Sequence, residues 1–287
     1  GWLAIDKDAG MSSAQVVAAV RRLTGAAKAG HGGTLDPFAT GVLPVALGEA
    51  TKTVAFTMDK AKSYRFTVRW GEARSTDDIE GEVLARSDAR PAAAAIEAAL
   101  PGFTGAILQV PPDYSAVKVD GQRAYRMARQ GIALDLKPRQ ALVTRFALLA
   151  QPDPDTAEFV VDCGKGTYIR ALARDLGAAL GCLGHVIQLR RTRVGAFDES
   201  QAISLAKLGQ LWQGPPPFEH LLPVATALDD IPALALTGPQ ADRLRSGQSV
   251  RVLEAGDGKV CAICGGIPVA LAEVAGGEVR PVRVFNL

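Results

Sequence analysis

A chain of 287 residues, 48% hydrophobic and 22% charged, is long enough to bury a large core and a smaller second one. Its composition is that of an ordinary globular protein, and no stretch approaches the roughly 20 uncharged apolar residues of a membrane span. The start, Gly1–Lys7, has no basic region ahead of a long apolar run, so no secretory signal is read and a cytoplasmic protein is expected.

Leu3-Ala4-Ile5 reads as a short strand that ends in a turn at Asp8-Ala9-Gly10. Ser12 or Ser13 then caps a helix with Val16, Val20 and Leu23 on one face, stopped by Gly25. A glycine-rich loop, Gly30 to Gly33, leads into Leu35-Asp36-Pro37. Tyr64 to Trp70 alternates roughly as a strand does, and the acidic run from Thr76 to Glu82 reads as a solvated loop. An alanine-rich helix follows Pro91.

Pro111-Pro112 opens, and Pro138 closes, a segment that reads as an excursion from the core, with a short helical piece around Tyr125 and Met127 between Gly121 and Gly131. The formal net charge of the chain is only +2, yet Tyr114 to Arg145 carries seven basic and two acidic residues. Such a block suits a polyanion, because each cation near a phosphate releases condensed counterions; on charge alone a solvated face explains it as well. Ala157 to Cys163 alternates cleanly, and a helix with Ile169, Leu172, Leu176 and Leu180 in one stripe follows Gly166-Thr167. Gly214 to Pro217 marks a stiff connection, and from about Ile231 to Leu287 short β-like runs between glycine turns indicate a small β-rich unit.

The four cysteines include one Cys-x-x-Cys pair, Cys261 and Cys264, without a second pair at zinc-site spacing, and the three histidines are scattered. They are read as structural: no metal and no cofactor are expected. In Gly30-His31-Gly32-Gly33-Thr34-Leu35-Asp36-Pro37 the glycines allow close approach of a ligand, and Pro37 restricts the backbone of Asp36 to extended forms. There is no Gly-Lys-Ser/Thr and no Gly-x-Gly-x-x-Gly, so a phosphate cradle has little support. From the residues alone, a plain structural turn stays equally open.

This segment, continued by Ala39-Thr40-Gly41-Val42-Leu43-Pro44, resembles the catalytic motif of the TruB-type tRNA pseudouridine-55 synthases. Further stretches match in the family's order: Lys7 to Ser13, Lys62-Ser63-Tyr64-Arg65, Gly166-Thr167-Tyr168-Ile169-Arg170 and Gly184 to Arg191, while Pro111 to Lys118 fits the start of an RNA-gripping insertion. The likeness covers essentially the whole chain and is firmer before residue 200 than after it.

The resemblance implies an α+β pseudouridine synthase fold: a central mixed sheet over residues 1–230, a basic insertion at about 111–139, and a PUA-like domain over 231–287. It implies isomerisation of a uridine in the T-loop of tRNA by a monomer that needs no cofactor and no protein partner. Asp36 matches the essential carboxylate and Arg170 the arginine that pairs with it, here expected to grip it bidentately. Tyr64 matches the tyrosine that stacks on the flipped uracil and is proposed to assist proton removal, Tyr168 and Leu189 match residues lining the base pocket, and His31 matches the histidine that fills the gap left by the extruded base. Lys118, Arg123, Arg126 and Arg129 are expected to contact RNA backbone, and Arg174 reads as an ordinary surface ion pair.

Two departures stand out: Asp8 where the family usually has proline, which puts the stiffness of that turn in question, and Gly32 where it more often has threonine or alanine, which suggests a looser loop. The rival class, a non-catalytic RNA-binding or tRNA-folding protein, would account for the cationic block but not for Asp36, Tyr64 and Arg170 standing together in their motifs. A nucleotide-binding enzyme is weaker still.

Overall fold

A computed structural model describes all residues except Asp120, Ala133, 213–217 and Glu254, so the stiff connection expected at Gly214 to Pro217 lies outside the described residues. The main sheet is built from β1 (Trp2–Lys7), β2 (Ala29–His31), β3 (Thr40–Leu47), β4 (Lys62–Trp70), β7 (Gly105–Gln109), β10 (Arg139–Asp153), β11 (Thr156–Cys163), β12 (Gly184–Val194), β13 (Phe197–Asp198) and β14 (Ile203–Ser204). Two short ribbons complete the strands of this half, β5 (Glu72–Arg74) with β6 (Val83–Arg86) and β8 (Lys118–Val119) with β9 (Gln122–Arg123). The helices are α1 (Ser13–Thr24), α2 (Val54–Asp59), α3 (Ala93–Ala99), α4 (Ala124–Arg129), α5 (Ile169–Ala179), α6 (Leu205–Leu211) and α7 (Gly238–Arg245).

The strand order is β14-β1-β3-β12-β4-β11-β10-β7, with β2 on β3 and β13 on β12. The sheet is mixed: β1 pairs β14 and β3 pairs β12 in parallel, and the other pairs are antiparallel. The seam between β3 and β12 is only two pairs long, Thr40 with Arg190 and Gly41 with Arg191. Gly41 has φ of 100°, and a Cβ there would run into the Arg191 backbone carbonyl, so only glycine closes this seam.

Successive residues of a strand point to opposite faces, and β1 therefore serves two cores. Leu3 and Ile5 join Val16 and Val20 of α1 and Leu172 and Leu176 of α5 on one face. Trp2 and Ala4 join Cys261, Leu271 and Phe285 on the other. Cys261 and Leu271 belong to, and Phe285 directly follows, a five-stranded sheet of β15 (Ala233–Ala235), β16 (Val250–Arg251), β17 (Gly258–Cys264), β18 (Ile267–Ala275) and β19 (Glu278–Val284), in the order β15-β17-β18-β19-β16. Its other core receives Ala241 and Leu244 of α7, a helix opened by a Thr237–Gln240 capping box that the strand-like pattern of this region concealed. At α1, Ser12 rather than Ser13 is the cap, and Gly25 ends the helix at φ of 63°.

Two expectations need correction. Gly30 and His31 are not in a free loop: they lie in β2 and pair with Ala46 and Val45 of β3. Gly32 is packed rather than loose, because its amide donates to the Pro44 carbonyl at 2.8 Å and the space a side chain would take is filled by the buried Thr57. A methyl group at position 32 would overlap the Thr57 side chain. Gly32→Ala should therefore cost about 1–3 kcal/mol of stability through overpacking. Thr57→Ser in the same chain should recover part of the loss, as read from urea unfolding midpoints of the single and double variants.

Candidate active site

The segment between β2 and β3 carries Asp36, and its neighbours are fixed one by one. Ser13, at the start of α1, exchanges hydrogen bonds with Leu35, its hydroxyl donating to the Leu35 carbonyl at 3.0 Å and accepting from the amide at 2.9 Å. On the other side of Asp36, the Pro37 carbonyl accepts from the Gly10 amide at 2.8 Å and from Lys7 Nζ at 3.0 Å. Lys7, fully buried at the end of β1, also donates to the carbonyls of Met11 at 2.8 Å and Asp8 at 2.9 Å. That ammonium holds the turn in which Asp8 replaces proline, so cross-links rather than ring stiffness fix it. Burial pushes the Lys7 ammonium down to about 8, with the Asp36 charge opposing the shift.

Arg191 anchors the first half of the segment from β12. Its guanidinium is 1% exposed and donates to the carbonyls of Val42 at 2.8 Å, Thr34 at 3.0 Å and Gly33 at 3.0 Å. Strand alternation turns Arg190 the other way, to Asp6 and Glu199. Leu35 is buried, whereas Asp36 presents its side chain outward, 34% exposed, beside the exposed Pro37.

Arg170, in the first turn of α5, reaches that carboxylate. Its Nε lies 3.0 Å from Asp36 Oδ2, while the side chain is only 5% exposed. The two-pronged grip expected from sequence is absent, because the terminal nitrogens go elsewhere. One donates to the Thr76 carbonyl at 2.7 Å and stands 3.2 Å from Asp78 Oδ2, and the other donates to the Tyr114 carbonyl at 2.9 Å. Arg170 thus ties the loop around Asp78 and the start of the insertion to Asp36.

Asp78 is the residue the sequence reading missed. The run from Thr76 to Glu82 does not form a solvated loop: Asp78 is 3% exposed and faces Arg170. Its carboxylate also accepts from the Thr76 hydroxyl and from the Glu80 amide at 3.0 Å. Burial raises its pKa and the nearby guanidinium counters that rise. A carboxylate in an acidic run reads as solvated unless its cation is known, and the cation here lies far along the chain. Lys7 and Arg191 did stand inside matched motifs, but no signal separated them from their neighbours.

Tyr64 and Leu189 sit on adjacent strands, with Leu189 opposite Phe66 and Arg191 opposite Tyr64. Both side chains are buried against the core that underlies Asp36. Burial raises the pKa of Tyr64, so its hydroxyl stays protonated beside Arg191. Tyr168 is held by its backbone: its amide donates to Gln109 Oε1 at 3.0 Å and its carbonyl accepts from Gln109 Nε2 at 3.2 Å. Its ring packs on a small core of Val117, Ala124 and Leu136 that belongs to the insertion. His31 is half-buried, and its pKa is lowered by burial and by the Arg191 charge, leaving a neutral imidazole.

Lys118, Arg123, Arg126 and Arg129 lie apart from this cluster on the β8–β9 hairpin and α4, all exposed. Arg126 and Arg129 lie over the Tyr125 ring at 6.0 and 5.8 Å from its centroid. Among the described residues, the ion pair within the insertion is that of Lys137 with Asp135.

Residues 21–169 match the family described as TruB family pseudouridylate synthase, N-terminal domain, and residues 170–229 match the tRNA pseudouridylate synthase B C-terminal domain. The chain belongs to the TruB family. It is 54% identical to the tRNA pseudouridine synthase B of Bradyrhizobium diazoefficiens, covering 100% of this chain and 86% of that one. The protein of the same name from Caulobacter sp. strain K31 is 52% identical, with 100% and 96% covered. Two solved structures share the fold with a TM-score of 0.78. One, at 25% identity over 100% of this chain and 85% of the other, is an H/ACA RNP bound to a substrate RNA containing 2'-deoxyuridine. The second, at 27% identity over 99% and 84%, is a Cbf5-Nop10-Gar1 complex. The boundary between the two TruB family matches runs through the site, with Asp36, Tyr64 and Tyr168 before it and Arg170 and Leu189 after it.

The burial of Asp78 beside Arg170 sets an order of stabilities. Asp78→Ala leaves the Glu80 amide without its acceptor and Arg170 with one carboxylate, and should cost about 2–4 kcal/mol. Asp78→Asn keeps an acceptor for both neighbours and should cost less than half as much. Urea unfolding midpoints of the two variants check this order.

Proposed function

We propose that the protein converts the uridine at position 55, in the T-loop of tRNA, to pseudouridine, and that Asp36 is the essential carboxylate. The observation that carries this reading is a partly exposed Asp36 held at 3.0 Å by a buried Arg170, inside a chain of this family. The isomerisation breaks the bond from uracil N1 to C1′ of the ribose and forms one from C5 to C1′. The C5 proton leaves and N1 gains one, so no redox or phosphoryl donor enters the balance.

Each residue has a role that fits its surroundings. Asp36 serves the sugar–base junction, and Arg170, itself buried, holds it aimed. Tyr64 stacks on the flipped uracil as a neutral phenol, since burial disfavours its phenolate. Tyr168 and Leu189 give the base an apolar pocket in which stacking and edge hydrogen bonds select it. His31, neutral and flat-faced, stacks in the gap that the base leaves. Lys118, Arg123, Arg126 and Arg129 contact the phosphates of the T-arm. In this reading residues 1–230 carry the chemistry, 231–287 form a PUA-like domain, and the enzyme works as a cytoplasmic monomer. The cationic insertion alone would also serve a tRNA-folding protein, but that reading leaves the Asp36–Arg170 pair without a purpose.

Mapping pseudouridine in tRNA incubated with the pure protein tests the assignment. Asp36→Asn should abolish turnover while tRNA affinity survives, and residual turnover within about tenfold of wild type would refute the role. Arg170→Lys should be severely impaired as well, because one ammonium cannot meet Asp36, Asp78, Thr76 and Tyr114 together.

The insertion should contribute affinity rather than chemistry. Changing Arg123, Arg126 and Arg129 together to alanine should weaken tRNA binding and flatten its salt dependence, by about 0.7–0.9 in log–log slope for each phosphate no longer neutralised. Single-turnover rates at saturating enzyme should change little. Affinities across a salt series check both parts, and an unchanged slope would return these arginines to a solvated face.

A further inference from the structure

One residue of the active-site rim stands out by its backbone. Asp77 has φ of 58° and is the one non-glycine residue with positive φ among the described residues. Aspartate tolerates this left-handed conformation better than most residues, yet it still costs energy and persists only where surroundings enforce it. Asp77 stands between Thr76 and Asp78, the two residues of this loop that Arg170 contacts. Its amide donates to the Arg74 carbonyl at 3.0 Å, and its carbonyl accepts from the Val186 amide of β12 at 3.1 Å.

The side chain of Asp77 is captured by Arg174, at 2.8 Å. Residues four apart on a helix lie on the same face, so Arg170 and Arg174 are neighbours along α5. Their partners run in parallel. Arg170 binds the loop at Thr76 and Asp78 and the start of the insertion at the Tyr114 carbonyl. Arg174 binds the loop at Asp77 and the root of the insertion at the Val110 carbonyl, 2.8 Å away. Its Nε is neutralised by Asp175 at 2.9 Å. Val110 directly follows Gln109, which holds Tyr168. Far from being an ordinary surface ion pair, Arg174 is half-buried and joined to both segments that frame the site.

We infer that Arg174 and Asp77 form a positioning pair: through the left-handed turn at Asp77 they set Asp78 against Arg170, and so fix the contact of Arg170 with Asp36. This rests on the proposed reaction and adds to it a second arginine that never touches the substrate. Without Arg174 the Asp77 side chain loses its partner among the described residues, Asp78 can swing from Arg170, and the guanidinium is no longer held from both sides. Small misplacements of this kind cost rate rather than binding.

The test compares Arg174→Ala, Arg174→Lys, Asp77→Asn and the double variant Asp77→Asn/Arg174→Ala. Single-turnover pseudouridine formation at saturating enzyme, tRNA affinity and thermal midpoint are measured for each. Asparagine also accepts positive φ, so Asp77→Asn removes the charge without adding backbone strain, and it carries the test if Arg174→Ala does not fold. Arg174→Ala and Asp77→Asn should each slow the single-turnover rate by roughly tenfold or more, with tRNA affinity within about threefold of wild type. The double variant should be no slower than the worse single one, since both remove the same link. Arg174→Lys should recover part of the rate, because an ammonium reaches Asp77 but not Val110 at the same time.

Rates within about twofold of wild type in folded variants, a loss confined to tRNA affinity, or a double-variant loss equal to the product of the single losses would each overturn the pair. A wild-type protein that makes no pseudouridine would overturn the proposed function instead, which keeps the two failures apart.

Discussion

The placement of Asp36 depends first on one buried cation. Arg170 is nearly inaccessible to water, so its charge is tolerated only because two carboxylates and two carbonyl oxygens surround it. Each of those partners comes from a different stretch of chain, or from a different residue of one loop. To satisfy the guanidinium, the Asp36 segment, the loop around Asp78 and the entrance of the insertion must converge on the first turn of α5. The same convergence leaves Asp36 as the exposed edge of the cluster, where a substrate can meet it.

A second arginine and a lysine do comparable work one layer below. Arg191 and Lys7 direct their donors to backbone carbonyls on either side of Asp36. Irregular backbone is thereby held with the rigidity of a sheet, although the loop itself makes no ladder. An arrangement fixed before the substrate arrives needs little reorganisation during reaction, which is where electrostatic catalysis gains most of its effect. Gly41 permits this by letting β12 approach β3 closely enough for Arg191 to reach across.

The basic insertion is joined to the site by contacts at its base. The ring of Tyr168 belongs to the insertion's small core, and its backbone belongs to Gln109 at the end of β7. The cationic side chains, by contrast, lie out on the hairpin and α4. The exposed cations of the insertion and the Asp36–Arg170 pair thus stand on different parts of one continuous structure, linked at α5.

Much of this was legible in the order of residues. The capped helix at Ser12, the alternation of β4 and β11, and the apolar stripe of α5 follow from local preferences and from periods of two and 3.6 residues, which sequence displays directly. The motifs around Asp36, Tyr64, Tyr168, Arg170 and Leu189 pointed to a candidate site through resemblance to a family. The tertiary structure alone decided which charges are paired. Asp78 reads as solvated and Arg174 as a surface ion pair because a charge's environment is set by residues distant along the chain. The single-point contact between Arg170 and Asp36 has the same origin, since the remaining nitrogens were claimed by Thr76, Asp78 and Tyr114. Gly32 looked loose only because Thr57, which fills its missing side chain, lies 25 residues away in sequence and in contact in space. Local pattern specifies the elements. Burial and charge partnership arise only when those elements meet.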